Sequence, residues 1–543
     1  MTILFFPGRH LLHTSFQEQY IRQIIGMPPA SLNLIGETPA TDAGPIDTIV
    51  FAITSANHQF TRYNPIPFHV RAIGVDRFAR ALEQSFGVRY HVFGIPHYAP
   101  TPRFLEFVLK EIAEQTEGDL ILTPDGCIVL SSTPALIEMA RNLGFGVLTA
   151  EQSVAPSPAT PAELLARLVD AGADWHIDPG LRAQLSPSTF DLWHDFPEVA
   201  RRVLRLWRDP LLNDQGLLSA ERNYSSYAQA MGNAAVIDLK VRDIANHIRP
   251  GRIVDEGCAD GALLVRIAQG FPDSDLIGIE ITGELLARCV ERQRAGEFGE
   301  TFVHFHQRNL TEPIFEPGSI DTTICNSTIH ELWSYNDERA TVMAYLAEKY
   351  RQLRVGGRLV IRDVVGPDHP EQTVYMWLDD GDGSNRADAD TPVAALSTRA
   401  RFARFADDFL PQRRRAGVTT VPFHHESRHG ETYVVTTLKL AAEYMAKKDY
   451  VENWSSEMHE EFTFWGMKDW ITELHAAGFQ VILTAAGATQ ASHVYTNPWI
   501  VEHRWRGKVA LYRLDGDSLV ALAYPPTTVV MVAKKAPSPL SAL

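Results

Sequence analysis

The stretch IVDEGCADGALL, residues 253–264, constrains the fold of this chain more than any other. An apolar run ends on Asp255 and Glu256, the short residues Gly257-Cys258-Ala259-Asp260-Gly261 follow, and apolar positions then resume. A strand that passes into a helix through such a loop lets a ligand lie against backbone, which larger side chains would prevent. It also presents the unpaired N–H donors of a helix N-terminus. Two acids at the strand end would repel a pyrophosphate, so Asp255 and Glu256 point to a ligand that is positive or polar here. The next apolar run, DLIGIE, ends on Glu280, 23 positions after Gly257, about the separation at which an acid meets a ribose hydroxyl pair.

Strand and helix patterns alternate in two parts of the chain. TILFF (2–6), TIVFAIT (48–54), YHVFGI (90–95), DLILTP (119–124) and FGVLTA (145–150) read as buried strands. RFARALEQSFG (77–87) and RFLEFVLKEIAEQT (103–116) read as helices between them. SVAPSPATP (153–161) has the composition of a linker, and 162–250 is mostly helical in pattern. RIVDEG, DLIGIE, TFVHFH, DTTICN and RLVIRD form a second series. FQVILTA, a hairpin KVALYRLDGDSLVALAY turning at Asp515–Gly516, and TVVMVAKK complete it. Such alternation predicts parallel α/β sheets, and 543 residues are too many for one core. The expected organisation is an α/β domain over 1–152, a linker and helical connector over 153–224, and a second α/β domain over 225–543 carrying a helical lid or insertion at about 370–475. Within that insertion DDGDGSNRADADTP (379–392) lacks the twelfth-position Glu of a calcium loop and reads as surface.

Acidic residues outnumber basic ones 66 to 50, for a net charge of −16, and no run of five or more Lys and Arg occurs. That field disfavours a nucleic-acid partner. The four cysteines, Cys127, Cys258, Cys289 and Cys325, make no CxxC pair and no zinc-like spacing, so reduced thiols and no metal site are expected. No apolar stretch nears the roughly 20 residues of a membrane span, and Pro7 and Gly8 cut short the first apolar run. A cytoplasmic protein without a membrane partner is expected; nothing in the sequence fixes its oligomeric state.

A carboxylate at a ribose, with others near an ammonium or sulfonium, suits S-adenosylmethionine (SAM). Over about 225 to 365 the chain resembles the class I SAM-dependent methyltransferases. VDEGCADG is similar to their first motif, D/E-x-G-x-G-x-G, with Ala259 at the middle glycine, and Glu280 stands at the ribose-binding acid. Gln307-Arg308-Asn309-Leu310 resembles the adenine-holding segment. DTTICNSTIHELW resembles the fourth strand and catalytic loop, and LRVGGRLVIRDVV (353–365) the turn before the fifth strand, with Val355 where Pro is usual. The resemblance implies a seven-stranded Rossmann-like sheet and SAM as cofactor. Its implied binding residues are Asp255, Glu256, Gly257, Cys258, Ala259, Gly261, Glu280, Ile281, Arg308, Asn309, Leu310, Asn326 and Ser327. Tyr227, near Arg222 and Tyr224, is implied from the preceding helix.

His330, an imidazole that titrates near operating pH, is the candidate general base, with Glu331 beside it. NSTI lacks the prolines of the D/N-P-P-Y/F found in methyltransferases of base amines. Trp333 and Tyr335 are candidates for an aromatic wall, and Arg362 and Asp363 for groups reaching the pocket from strand five. The aromatic run around 453–479 is expected to roof an acceptor pocket.

Near the start, GRHLLHTSFQEQYI (8–21) resembles the opening motif of HxGH nucleotidyltransferases of the NMN adenylyltransferase kind. Gly8, Arg9 and His13 fit it, while Ser15 and Phe16 replace its Gly and second His. Ser55, Asn64 and Arg71 resemble a second motif, and LSSTPALIEMARNLG (130–144) a third without its Arg. This implies a Rossmann-like domain with a nucleotide pocket. Each lost donor costs about 2.7–4 kcal/mol of charge stabilisation, so a pocket that binds without catalysing is expected.

The function expected is methyl transfer from SAM to an oxygen or nitrogen of a small polar metabolite, nucleotide-linked ones included. The alternatives are a bifunctional nucleotidyltransferase/methyltransferase, an RNA (tRNA) methyltransferase, and a protein that keeps SAM as a sensed ligand.

Overall fold

The computed structural model describes residues 2–36, 44–59, 61, 63–98, 101–208, 234–386, 391–484 and 490–537. The chain divides into two compact units, Met1–Gly216 and Leu217–Leu543.

In the first unit, β1 (Thr2–Gly8), β2 (Ile46–Thr54), β3 (Arg89–Ile95), β4 (Cys127–Leu130) and β5 (Gly146–Leu148) form a parallel sheet in the order β3-β2-β1-β4-β5. Alternate side chains explain the unbroken apolar runs. Leu4, Phe6, Ile49 and Phe51 pack with Val75, Phe78 and Leu82 of the helix Phe68–Phe86. Ile3, Phe5, Val50 and Ala52 pack on the other face with Leu105, Val108 and Ile112 of the helix Phe104–Gln115.

Two expectations are corrected here. The fourth strand is CIVL, not DLILTP: Ile121 is 65% exposed, Pro124 has no N–H for a ladder, and Cys127–Leu130 alone are buried on both faces, as a strand beside β1 must be. The helices expected as a connector, among them Pro161–Ala171, Pro187–Asp195 and Pro197–Arg208, join the first unit instead. Their Leu164, Leu168, Trp193 and Val203 share one core with Leu12 and Ile66.

The second unit runs β6 (Arg252–Glu256), β7 (Asp275–Glu280), β8 (Val303–Gln307), β9 (Ile320–Asn326), β10 (Leu353–Asp363), β11 (Thr373–Leu378), β12 (His424–Arg428), β13 (Glu431–Thr437), β14 (Phe479–Val481), β15 (His493–Tyr495), β16 (Val509–Asp515), β17 (Ser518–Ala521) and β18 (Thr528–Lys535). Its main sheet has the order β14-β18-β10-β9-β6-β7-β8, with β18 antiparallel to β10 and β15 also paired to β18. It therefore holds eight strands where seven were expected. Val254, Ile279 and Ile361 pack on one face with Val342, Tyr345 and Leu346. Ile253, Leu276 and Val360 pack on the other with Leu263, Leu264 and Ile267.

The insertion is not simply helical. β12-β13-β11-β16-β17 make an antiparallel sheet, covered by Phe402, Phe405, Leu440 and Tyr444 from the helices Thr398–Asp408 and Leu438–Lys447. The β16–β17 hairpin turns at Gly516 (φ +58°) as its sequence predicts, but it extends this second sheet. Among the described residues no helix is long and apolar enough to cross a membrane.

Candidate active site

β6, β7, β9 and β10 end together, and the loops that leave them build the site. The glycine loop leads from β6 into the helix Ala262–Gly270. Gly257 (φ +74°) bonds Ile279 O through its N–H, and a side chain here would meet Thr328 Oγ1 at 2.3 Å. Ala259 takes φ +48°, a left-handed backbone at the middle glycine position. That conformation costs an L-residue about 1–2 kcal/mol, partly offset by the greater freedom a glycine loses on folding. Ala259→Gly is therefore expected to stabilise the second unit by about 0.5–1 kcal/mol, read as a rise in its denaturation midpoint.

Adjacent strand positions point to opposite faces, which separates the two acids of β6. Glu256, expected in the cofactor site, lies beneath the sheet instead. Its Oε1 accepts from Lys349 Nζ (2.5 Å) and its Oε2 from Tyr345 Oη (2.5 Å), and all three residues are fully buried. Asp255 lies on the other face, 1% exposed, and among the described residues neither of its carboxylate oxygens has a hydrogen-bond partner. Burial raises its pKa to about 7, the nearby ammonium of Lys240 opposing and Glu256 and Glu280 adding to the rise. Lys240, on the helix Ala234–Ile244, is pushed down to about 8 by burial and by Arg362. No sequence motif marked it.

Glu280 ends β7, and its carboxylate accepts from the N–H groups of Ala259 (3.0 Å) and Thr282 (2.8 Å). Each oxygen keeps a lone pair for a ribose hydroxyl. Burial lifts its pKa to about 7 against those bonds, with Glu331 contributing. Gln307 Nε2 fixes the carbonyl of the half-buried Ile281 (2.8 Å). Arg308 and Asn309 are buried, Arg308 Nη1 on Gln307 O (2.7 Å) and Asn309 Oδ1 accepting from Thr311 N–H (3.1 Å). The side chains of Leu310 and Cys258 pack in the two cores rather than in a pocket. Gly261, also left-handed, lies where a side chain would press on Cys289 Sγ at 3.2 Å. Tyr227, Tyr224 and Arg222 lie outside the described residues.

After β9, Asn326 is buried and Ser327 (φ +58°) donates its N–H to Arg362 O (2.7 Å). The helix Ile329–Ser334 then starts on Asp363: Oδ2 accepts from the N–H groups of Ile329 (2.7 Å) and His330 (3.3 Å), and Oδ1 accepts from His330 Nδ1 (2.7 Å). Burial alone would lower the His330 pKa, but Asp363, Glu460 and Glu331 outweigh it and raise it to about 9. With no cation bound, these carboxylates favour the protonated imidazole. Arg362, expected to reach the pocket, instead pairs with Asp243 (2.7 Å) and Tyr495 Oη (3.0 Å). Trp333 packs on Phe464 and donates to Glu461 (2.8 Å), while Tyr335 donates to Glu460 (3.1 Å). Residues 456–465 of the insertion therefore cover the helix that follows β9.

The first unit has a cavity of about 350 Å³ between the ends of β1 and β4, where the strand order reverses. Of the residues expected there, Gly8, Arg9 and His13 line it; Ser55, Asn64 and Arg71 do not. Arg71 is spent on backbone, bonding the carbonyls of Arg9 (3.0 Å), Thr54 (2.8 Å) and Ser55 (2.8 Å), with burial lowering its pKa to about 10. Asn64 Oδ1 is buried and has no hydrogen-bond partner among the described residues. His10, missed in the motif, pairs with His13 (Nδ1 to Nε2, 3.1 Å), at the three-residue spacing for which Phe16 had looked like a lost histidine. Burial pushes His10 down to about 4 and His13 well below its usual value. A neutral His10 donates from Nε2 to Phe6 O (3.0 Å) and accepts from His13 Nε2–H.

Residues 250–395 match the family described as "Methyltransferase domain". The chain is 23% identical over 242 residues to the ribosomal RNA large subunit methyltransferase G of Magnetococcus marinus, covering 38% of this chain and 63% of that protein. It is 26% identical over 136 residues to the protein of that name in Shewanella oneidensis, covering 24% and 35%. It thus spans less than two thirds of either relative. Among solved structures, phosphoethanolamine N-methyltransferase 2 of Haemonchus contortus in complex with SAM has a TM-score of 0.32 at 11% identity, covering 61% of this chain and 60% of that one. A SAM-dependent methyltransferase of Mesorhizobium loti gives 0.30 at 13%, covering 56% and 99%.

With the β6 loop and the family match together, the second unit is an α/β methyltransferase domain. Its cofactor is SAM, which supplies an electrophilic methyl group on a sulfonium. The residues fit it: among the described residues Asp255 has two unpartnered oxygens that would meet the ammonium of the methionyl end, Gly257 leaves no side chain in the way, and Glu280 would meet the ribose. The pH dependence follows. Protons compete with the cationic cofactor for Asp255 and Glu280, so SAM affinity should be full above about pH 7 and fall below it, by about tenfold per pH unit for each group. Calorimetry in two buffers of different ionisation heat should show proton release on binding near pH 6.

Proposed function

We propose that the chain methylates an oxygen or nitrogen of a small polar metabolite that is neutral or cationic where it meets the site. One observation carries this: the catalytic loop is walled by the carboxylates of Asp363, Glu331 and Glu460 and covered by 456–465. Such a wall repels phosphate, and such a cover favours a small acceptor over a polymer. His330 and Asp363 serve as a positioning pair in this reading, and the SAM-binding set is that of the β6 loop with Glu280, Arg308, Asn309, Asn326 and Ser327.

The first unit, in the same reading, binds a small polar group without transferring a nucleotide. Arg9 is the one Arg or Lys among the described residues lining its cavity, and the buried Glu151 faces it. No pyrophosphate exchange with ATP or CTP is expected, and exchange would restore the bifunctional reading. The names of the two curated relatives favour a second reading, RNA methylation. Labelled SAM offered with a small-molecule extract or with ribosomal and transfer RNA decides between them. Label in the RNA alone would overturn the small-acceptor assignment.

A further inference from the structure

We propose that His330, Glu331 and Glu460 form a binding site for a divalent transition-metal ion beside the methyl-transfer centre. One possible ligand atom from each lies within 4.8 Å of the others. His330 Nε2 stands 3.6 Å from Glu460 Oε2, too far for a hydrogen bond but close to the spacing of two donors that share one ion at about 2.0–2.2 Å. The His330 side chain is 8% exposed, and Asp363 takes its Nδ1, so Nε2 is the nitrogen on the Glu460 side.

Partners on other atoms aim these groups, and the ion takes the place of the Nε2 proton, which leaves to solvent on binding. Asp363 holds Nδ1 and so turns Nε2 toward Glu460, the carboxylate–imidazole–metal arrangement that orients metal-binding histidines. Tyr335 Oη donates to Glu460 Oε1, Oε2 lies 3.6 Å from the imidazole Nε2, and buried Lys447 fixes the Glu460 carbonyl (2.8 Å). One nitrogen and two carboxylates suit Mn²⁺ through Zn²⁺ better than Mg²⁺ or Ca²⁺, which favour oxygen alone. Three protein ligands leave positions open, as in sites that take a substrate atom. The acceptor's oxygen or nitrogen is the natural occupant. Three carboxylates, Asp363 included, still outnumber the charge of one such ion, so the site keeps its preference for neutral or cationic acceptors. No local spacing announces it, because Glu460 comes from the insertion.

The full chain, stripped with a chelator, is titrated with Mn²⁺ followed by electron paramagnetic resonance and with Zn²⁺ by calorimetry, both without SAM. One ion per chain is expected, with nitrogen coupling from a single imidazole in the bound Mn²⁺ spectrum. Glu460→Gln and Glu331→Gln should each weaken binding by about tenfold or more, with melting curves reporting that the variants are folded. No ion on the wild type, no imidazole coupling, or equal affinity in folded variants overturns the site. Because SAM is absent throughout, that failure leaves the cofactor assignment standing, and a failed SAM titration leaves the metal site standing.

Discussion

Lys349→Met is expected to destabilise the second unit by about 3–5 kcal/mol, the usual cost of leaving a buried charge without its partner. Lys349 and Glu256 are both fully buried, with Nζ 2.5 Å from Oε1. Once the ammonium is gone, the carboxylate keeps the Tyr345 hydroxyl, a neutral donor, as its side-chain partner among the described residues. Replacing both ends, Lys349→Met with Glu256→Gln, removes the stranded charge and should recover most of the loss. Chemical denaturation of the full chain, following the transition that SAM shifts, measures both. Equal losses in the single and double variants would place the cost in packing rather than in the ion pair.

Glu280→Ala is expected to weaken SAM binding by about 1.5–3 kcal/mol, roughly ten- to 150-fold in Kd, through loss of a charged hydrogen-bond acceptor. The same carboxylate holds the N–H groups of Ala259 and Thr282, so part of the effect comes through a looser glycine loop. Glu280→Gln keeps one oxygen acceptor and the side-chain volume, and should lose less. Unchanged affinity in the alanine variant by calorimetry would show that the ribose is held elsewhere.

The glycine loop, Glu280 and the β16–β17 hairpin were legible because their signals are local: a few residues within one turn or strand end. Asp255 and Glu256 were lumped together although the period of a strand already parts them, one toward the pocket face and one toward Tyr345 and Lys349. DLILTP reads as the strand although the wholly apolar CIVL follows three residues later; burial on both faces beside β1, which singles out CIVL, is a condition set by the sheet. The second sheet escaped because β11 finds its partners in β13 and β16, far along the chain. Lys240 and Glu460 escaped for the same reason. A lone Lys in a helix and a Glu among aromatics carry no local mark; the fold alone brings them to Asp255 and His330.

The chain passes between the main sheet and the insertion four times: after β10, before β14, between β15 and β16, and between β17 and β18. A flap tethered at so many points has no pair of hinge residues about which to swing. Small molecules would then enter and leave by small sliding of packed surfaces rather than about a hinge. Turnover limited by such breathing would respond to solvent viscosity far less than a swinging gate.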